Sequence, residues 1–91
     1  MRLVWSSLAL ADLERLHQFL APVNLRAAGE AVREIVGSEA RLRALPRIGT
    51  RLDGFGGRDV RRLLIGWYQL RYELTKDRII ILRVLHSREV R

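Results

Sequence analysis

The apolar residues of this chain change period once, and that change constrains the fold more than any other feature. From Tyr68 onward, Tyr68, Leu70, Tyr72 and Leu74 alternate with Gln69, Arg71, Glu73 and Thr75, the signature of a half-buried strand. After "TKDR", the run "IIILRVL" (residues 79–85) is apolar except for Arg83, as expected of a central strand. "VRRLLIGW" (residues 60–67) reads as the strand before them, with Gly66 at its bend or turn. Upstream the spacing is helical. Ala9, Leu13, Leu16 and Leu20 form one stripe, which places Asp12, Glu14, Arg15 and Gln18 on the other face of a helix over residues 7–21. Ser6 or Ser7 supplies its cap and Pro22 breaks it. Asn24 caps a second helix, whose stripe is Leu25, Ala28, Val32, Ile35 and Leu42, with Ala31, Val36 and Leu45 beside it. A kink is expected at Gly37, because glycine costs about 1 kcal/mol against alanine inside a helix. Pro46 ends the run.

"RLVW" (residues 2–5) is short and β-prone, and "RIGTRLDGFGGRD" (residues 47–59), with four glycines, reads as a loop. That loop lacks the lysine of a phosphate-binding strand–loop–helix motif. The expected order is therefore β-α-α-β-β-β. It is an α+β fold in which a helical hairpin packs on one face of a small antiparallel sheet and leaves the other face open. Ninety-one residues make one domain, 1–91, with a modest core.

Composition narrows the chemistry. There is no cysteine, so no disulfide framework or thiolate site is possible, and the two histidines do not stand at metal-ligand spacing. No metal and no cofactor is expected. The apolar runs are too short to span a membrane, and Asp12 and Glu14 come too early for a secretory signal, so a cytoplasmic protein is expected. Net charge is +7, unevenly spread. Residues 1–40 set four arginines against five acids, which leaves +8 on residues 41–91. Sixteen of the seventeen cations are arginine. Arginine makes forked contacts to phosphate and carboxylate, so the charge points to an acidic partner, protein or nucleic acid.

Three segments carry a family likeness: "ALADLERLHQFL", "LRALPRIGTRL" and "VRRLLIGWYQLRYELTKDRIIILRVLHSRE". Together, over nearly the whole chain, they resemble the RelE/ParE toxins of type II toxin–antitoxin pairs. The "YxLxY…IxILRVLHxR" ending is closer to the ParE branch. The resemblance implies a toxin neutralised in a hetero-oligomer by a cognate antitoxin, commonly of the ribbon–helix–helix type, and a role of the kind known as plasmid stabilisation. ParE-like members poison DNA gyrase without cutting RNA, whereas RelE-like members cut mRNA in the ribosome.

The candidate residues are weighed against both activities. A ribonuclease would draw on Arg62, Arg71, Arg83, His86 and Arg88 to move protons and stabilise a pentavalent phosphate. Gln69 stands where several family nucleases carry arginine, and the last six residues hold no tyrosine, so that set is incomplete. The favoured reading is a non-catalytic gyrase poison, with Arg71, Arg83, His86, Arg88 and Arg91 facing the target and Arg61, Arg62, Trp67 and Arg83 facing the antitoxin. A non-toxic basic binding module is the third reading. Arg61 and Arg62 should point to opposite faces. Arg83 would be expensive to bury unpaired, so it is expected on the open face near Arg71 or Glu73. That placement needs either a hairpin loop longer than Lys76-Asp77 or a bulge, and the absence of glycine favours the longer loop. Tyr68 and Tyr72 are expected in the core, and Trp67 is the aromatic to watch for exposure.

Overall fold

A computed structural model describes residues 1–87. Strand β1 (Arg2–Trp5) leads into helix α1 (Ser7–Leu20). Helix α2 (Leu25–Ala44) is followed by β2 (Thr50–Arg51), β3 (Asp59–Ile65), β4 (Tyr68–Leu74) and β5 (Arg78–His86). The helix starts follow the sequence closely. Ser6 caps α1 by accepting the Ala9 N–H at 3.0 Å, and Asn24 caps α2 by accepting the Ala27 N–H at 3.0 Å. Helix α2 runs unbroken through Gly37.

The sheet order is β1-β5-β4-β3-β2. Two expectations need correction. Residues 47–59 are not wholly loop, because Thr50 and Arg51 pair with Arg62 and Arg61. The sheet is mixed rather than antiparallel, because β1 pairs with β5 in parallel. The path of the chain explains this. Helix α1 continues in the direction of β1 along the far half of β5, where Asp12 meets Val84. Helix α2 then returns the chain to the Met1 end, and two hairpins leave β5 running as β1 does.

Both helices cover one face. The core joins Ala9, Ile35 and Leu42 to Leu63, Ile65, Leu70, Tyr72, Ile79, Ile81 and Val84, with Leu3, Trp5, Leu13, Leu16 and Tyr68 packed around it. The stripe of α2 is only partly in it. Leu25 is 68% exposed at the end of the hairpin, while Ser38 takes a buried stripe position and satisfies its hydroxyl on the Ile35 carbonyl.

Tyr72 ties the layers together. Its hydroxyl donates to the Pro46 carbonyl and accepts the Gly49 N–H, both at 2.8 Å, at the exit from α2. Tyr72→Phe would leave both backbone groups unpaired. It should cost about 1–3 kcal/mol, read as a lower urea midpoint with unchanged slope. No helix among the described residues is long and apolar enough to cross a membrane.

Candidate functional site

The strand register builds the site. Alternation sends Leu70, Tyr72 and Leu74 of β4 towards the helices and Gln69, Arg71 and Glu73 to the opposite face. Arg62 of β3 lies directly across from Arg71, and Arg71 lies directly across from Arg83 of β5. Three arginines therefore stand in one row across three adjacent strands. Like charges in directly opposed positions repel, so Arg62 and Arg71 are an electrostatic cost that an anion would relieve, whereas Arg83 already has the Asp12 carboxylate as its counter-ion.

The row depends on a bulge. Leu74 pairs with Ile79 and Tyr72 with Ile81, as a two-residue Lys76-Asp77 turn requires. Thr75 closes that turn, donating its N–H to the Arg78 carbonyl at 3.0 Å and accepting the Arg78 N–H on its hydroxyl at 3.1 Å. The longer loop expected from the sequence is absent. The register then slips between Arg71 and Tyr72, which leaves Leu82 as the extra residue and sets Arg83 opposite Arg71. The bulge alone thus brings Arg83 into the row, and it also sets His86 opposite Tyr68.

Asp12, assigned by the sequence to the solvent face of the first helix, is the principal correction. It is 2% exposed. Its carboxylate accepts Arg83 Nε at 2.8 Å and Nη2 at 3.1 Å, the Val84 N–H at 2.8 Å and Arg15 Nη2 at 2.6 Å. Strand β1 stops at Trp5, so among the described residues the outer edge of β5 beyond Ile81 has no strand neighbour. Ser6 Oγ donates to the Leu82 carbonyl and Asp12 accepts from Val84, so side chains take the place of the missing strand. Burial opposes the charge on Asp12. The hydrogen bonds from Arg83, Val84 and Arg15, with the Arg83 charge, outweigh it and hold the carboxyl below its ordinary value. The spacing carried a signal, since Asp12 lies three residues after Ala9 and four before Leu16, on the buried stripe itself.

The rest of the face is unevenly satisfied. Gln69, between Leu64 and Leu85 in the register, is 1% exposed, and neither its Nε2 nor its Oε1 has a partner among the described residues. Arg71 Nε is likewise buried without an acceptor among the described residues. Glu73 is forked by Arg58 at 2.7 and 3.0 Å, and that pairing holds its carboxyl below the usual value against some desolvation.

The remaining candidates separate. Arg61 points to the helix side, where it bonds Asp59 at 3.0 Å and the Arg47 and Gly49 carbonyls at 3.2 and 3.0 Å. It fastens the chain entering β2, and Arg62 is the member of the pair that a partner can reach. Trp67 is 72% exposed in the β3–β4 turn, where Gly66 takes φ +56°, the glycine-first pattern of a type II′ turn. His86 sits on the helix side. Its ring meets Tyr68 edge-on at 5.4 Å, beside a groove of about 480 Å³ lined by Leu16, Phe19, Leu20 and Val84. Tyr72 is buried and Tyr68 half-buried on that same side, so neither faces the arginines. Arg88 and Arg91 lie outside the described residues. Among the described residues, no group of His, Cys, Asp or Glu could hold a metal ion.

The fold has known counterparts. A chain of the chromosomal ParDE toxin–antitoxin system of P. aeruginosa superposes with a TM-score of 0.79 at 24% identity, over 94% of this chain and 95% of that one. A chain of the archaeal RelE–RelB complex of Pyrococcus horikoshii OT3 superposes with a TM-score of 0.68 at 18% identity, over 98% and 97%. At these identities the likeness concerns the fold. No curated protein sequence matches significantly. The family model described as the ParE toxin of the type II toxin–antitoxin system parDE matches residues 3–91, and the chain belongs to that family.

Proposed function

We propose that this ParE toxin acts by binding and poisoning DNA gyrase, without cleaving RNA, and that a cognate antitoxin, of the ribbon–helix–helix type, holds it inactive. The observation carrying this reading is the division of the candidate groups between two faces. Arg62, Arg71 and Arg83 share one face, while His86 lies on the other against Tyr68. Arginine stays protonated at neutral pH, so Arg62 and Arg71 offer forked anion contacts and no proton transfer, while the Arg83 fork is held by Asp12. In this reading the row binds the target together with Arg88 and Arg91. Arg62 and Trp67 are within the antitoxin's reach. The P. aeruginosa and P. horikoshii counterparts come from toxin–antitoxin assemblies, which supports an antitoxin here.

A supercoiling assay on relaxed plasmid tests the proposal, with linear DNA scored alongside. Blocked supercoiling with accumulating linear product is expected. The variant to compare is Arg62→Ala/Arg71→Ala, because Arg83 also holds Asp12 and its removal would confound binding with folding. The double variant should need at least about tenfold more protein for the same block, as expected when central arginine contacts are removed. The RelE-like counterpart and the arginine row favour mRNA cleavage as the second reading. Normal supercoiling together with cuts in translated mRNA would replace gyrase by the ribosome.

A further inference from the structure

The groove beside Tyr68 and His86 is not used by the arginine row, which lies on the other face of the sheet. Its volume of about 480 Å³ falls within the range of small-molecule sites. Leu16, Phe19 and Leu20 of α1 form one wall, and Tyr68 and Val84 form the other. Phe19 is 79% exposed, so an apolar ring laid against it would remove hydrophobic surface from water. The groove is also short. Its wall on α1, from Arg15 to Leu20, spans about 8 Å along the helix axis, which is room for a fused ring system and not for a docked helix.

Two polar groups meet this apolar surface. Arg15 gives one Nη to Asp12 at 2.6 Å, yet its side chain stays 60% exposed, so the rest of the guanidinium is open to a second anion. Asp12 also borders the groove, but its side chain is fully buried and its charge is offset by Arg83 and Arg15. Among the described residues no other carboxylate lines the groove. Tyr68 is the second polar group. Its hydroxyl has no hydrogen-bond partner among the described residues, and burial raises it above its ordinary value, so at neutral pH it keeps its proton and can donate. His86 adds no negative charge in either protonation state. An apolar slot with an arginine at its rim and a neutral donor beside it complements a flat, singly charged anion.

We infer that the groove between α1 and the Tyr68–Val84 side of the sheet binds a small aromatic carboxylate. The rings lie among Leu16, Phe19, Leu20 and Val84. The carboxylate takes a charge-assisted bond from Arg15 and a second bond from the Tyr68 hydroxyl. The inference does not depend on whether gyrase or the ribosome is the target.

The test is a methyl-resolved NMR titration of the whole chain with naphthalene-1-acetate, and with naphthalene-1-acetamide, which has the same rings and no charge. The acid should give saturable shifts at the Leu16, Leu20 and Val84 methyls. It should bind about tenfold more tightly than the amide, the margin expected of a hydrogen bond to a charged group. Arg15→Gln should weaken the acid about tenfold and leave the amide unchanged, since Asp12 keeps Arg83 and the Val84 N–H. Phe19→Ala should weaken acid and amide alike, by about fivefold. The core methyls of Ile79 and Ile81 report that both variants remain folded. Equal affinity for acid and amide, or shifts confined to Ile48 and Leu74 at the Met1 end, would overturn the inference. No saturable shift with the acid would overturn it and leave the groove to a protein partner, and shifts that appear with protein concentration alone would assign it to a second copy of this chain.

Discussion

Replacing Asp12 by alanine is expected to destabilise the fold by about 3 kcal/mol, because removing one partner of a buried ion pair strands the other. The figure sits at the low end for such losses because the Arg83 side chain keeps 37% of its exposure and can recover some solvation. Asp12 accepts from three separate groups, Arg83, Arg15 and the Val84 backbone, so the alanine variant loses the charge pairing and also unseats the edge of β5. Against a typical domain stability of about 5–15 kcal/mol this is a large fraction. Urea unfolding checks it, and a midpoint equal to that of the parent would mean that the carboxylate is dispensable.

The same residue sets an acid dependence. The folded state holds the Asp12 carboxyl below its ordinary value. Its contribution is therefore complete above the unfolded-state pKa and is lost as pH falls through the folded one. Stability should decline below about pH 4, the ordinary range for an aspartate. The Asp12→Ala protein should show a flatter acid limb. Glu73 acts in the same direction through Arg58, but more weakly, because Arg58 is exposed.

The second large effect is expected at Gly49. A methyl group there would stand 2.6 Å from the Arg62 carbonyl oxygen and 2.6 Å from the Tyr72 hydroxyl. Backbone cannot swing aside as a flexible side chain does, so β2 and β3 would have to part. Gly49→Ala should cost about 3 kcal/mol, at the upper end for overpacking. Adding Tyr72→Phe removes only the hydroxyl collision, leaves the Arg62 oxygen at 2.6 Å and the ring carbon Cε1 at 2.8 Å, and should not restore the parent's stability. Full stability of Gly49→Ala would contradict this close approach. Because the strained carbonyl belongs to Arg62, the variant should also weaken any activity that uses the arginine row.

Much of the architecture was legible because it is written in local chemistry. Pro22 and Pro46 cannot continue a helix, Ser6 and Asn24 cap the two that form, and the alternation from Tyr68 to Leu74 can satisfy only a strand with one buried face. Arg61 and Arg62 had to diverge because neighbouring strand residues do. The misreadings have a common origin in non-local contacts. An acid on a helix usually faces solvent, and although Asp12 lies on the buried stripe, nothing nearby in sequence announces its partner Arg83, 71 residues away. Leu25 looked like core by spacing, yet the hairpin end carries it past the sheet.

The site divides in the same way. The sequence alone determined an α+β chain with a helical hairpin and a basic second half, since residue identity and period depend on nothing further along the chain. Only the tertiary structure decided which of those charges stand together. One extra residue at Leu82 reverses the facing of everything before it relative to everything after, so Arg83 joins Arg62 and Arg71 while His86 turns towards Tyr68. A bulge is a compromise between two strands and the helix packed beside them, here through Asp12. Its position is therefore a property of the assembled sheet and cannot be read from either strand alone.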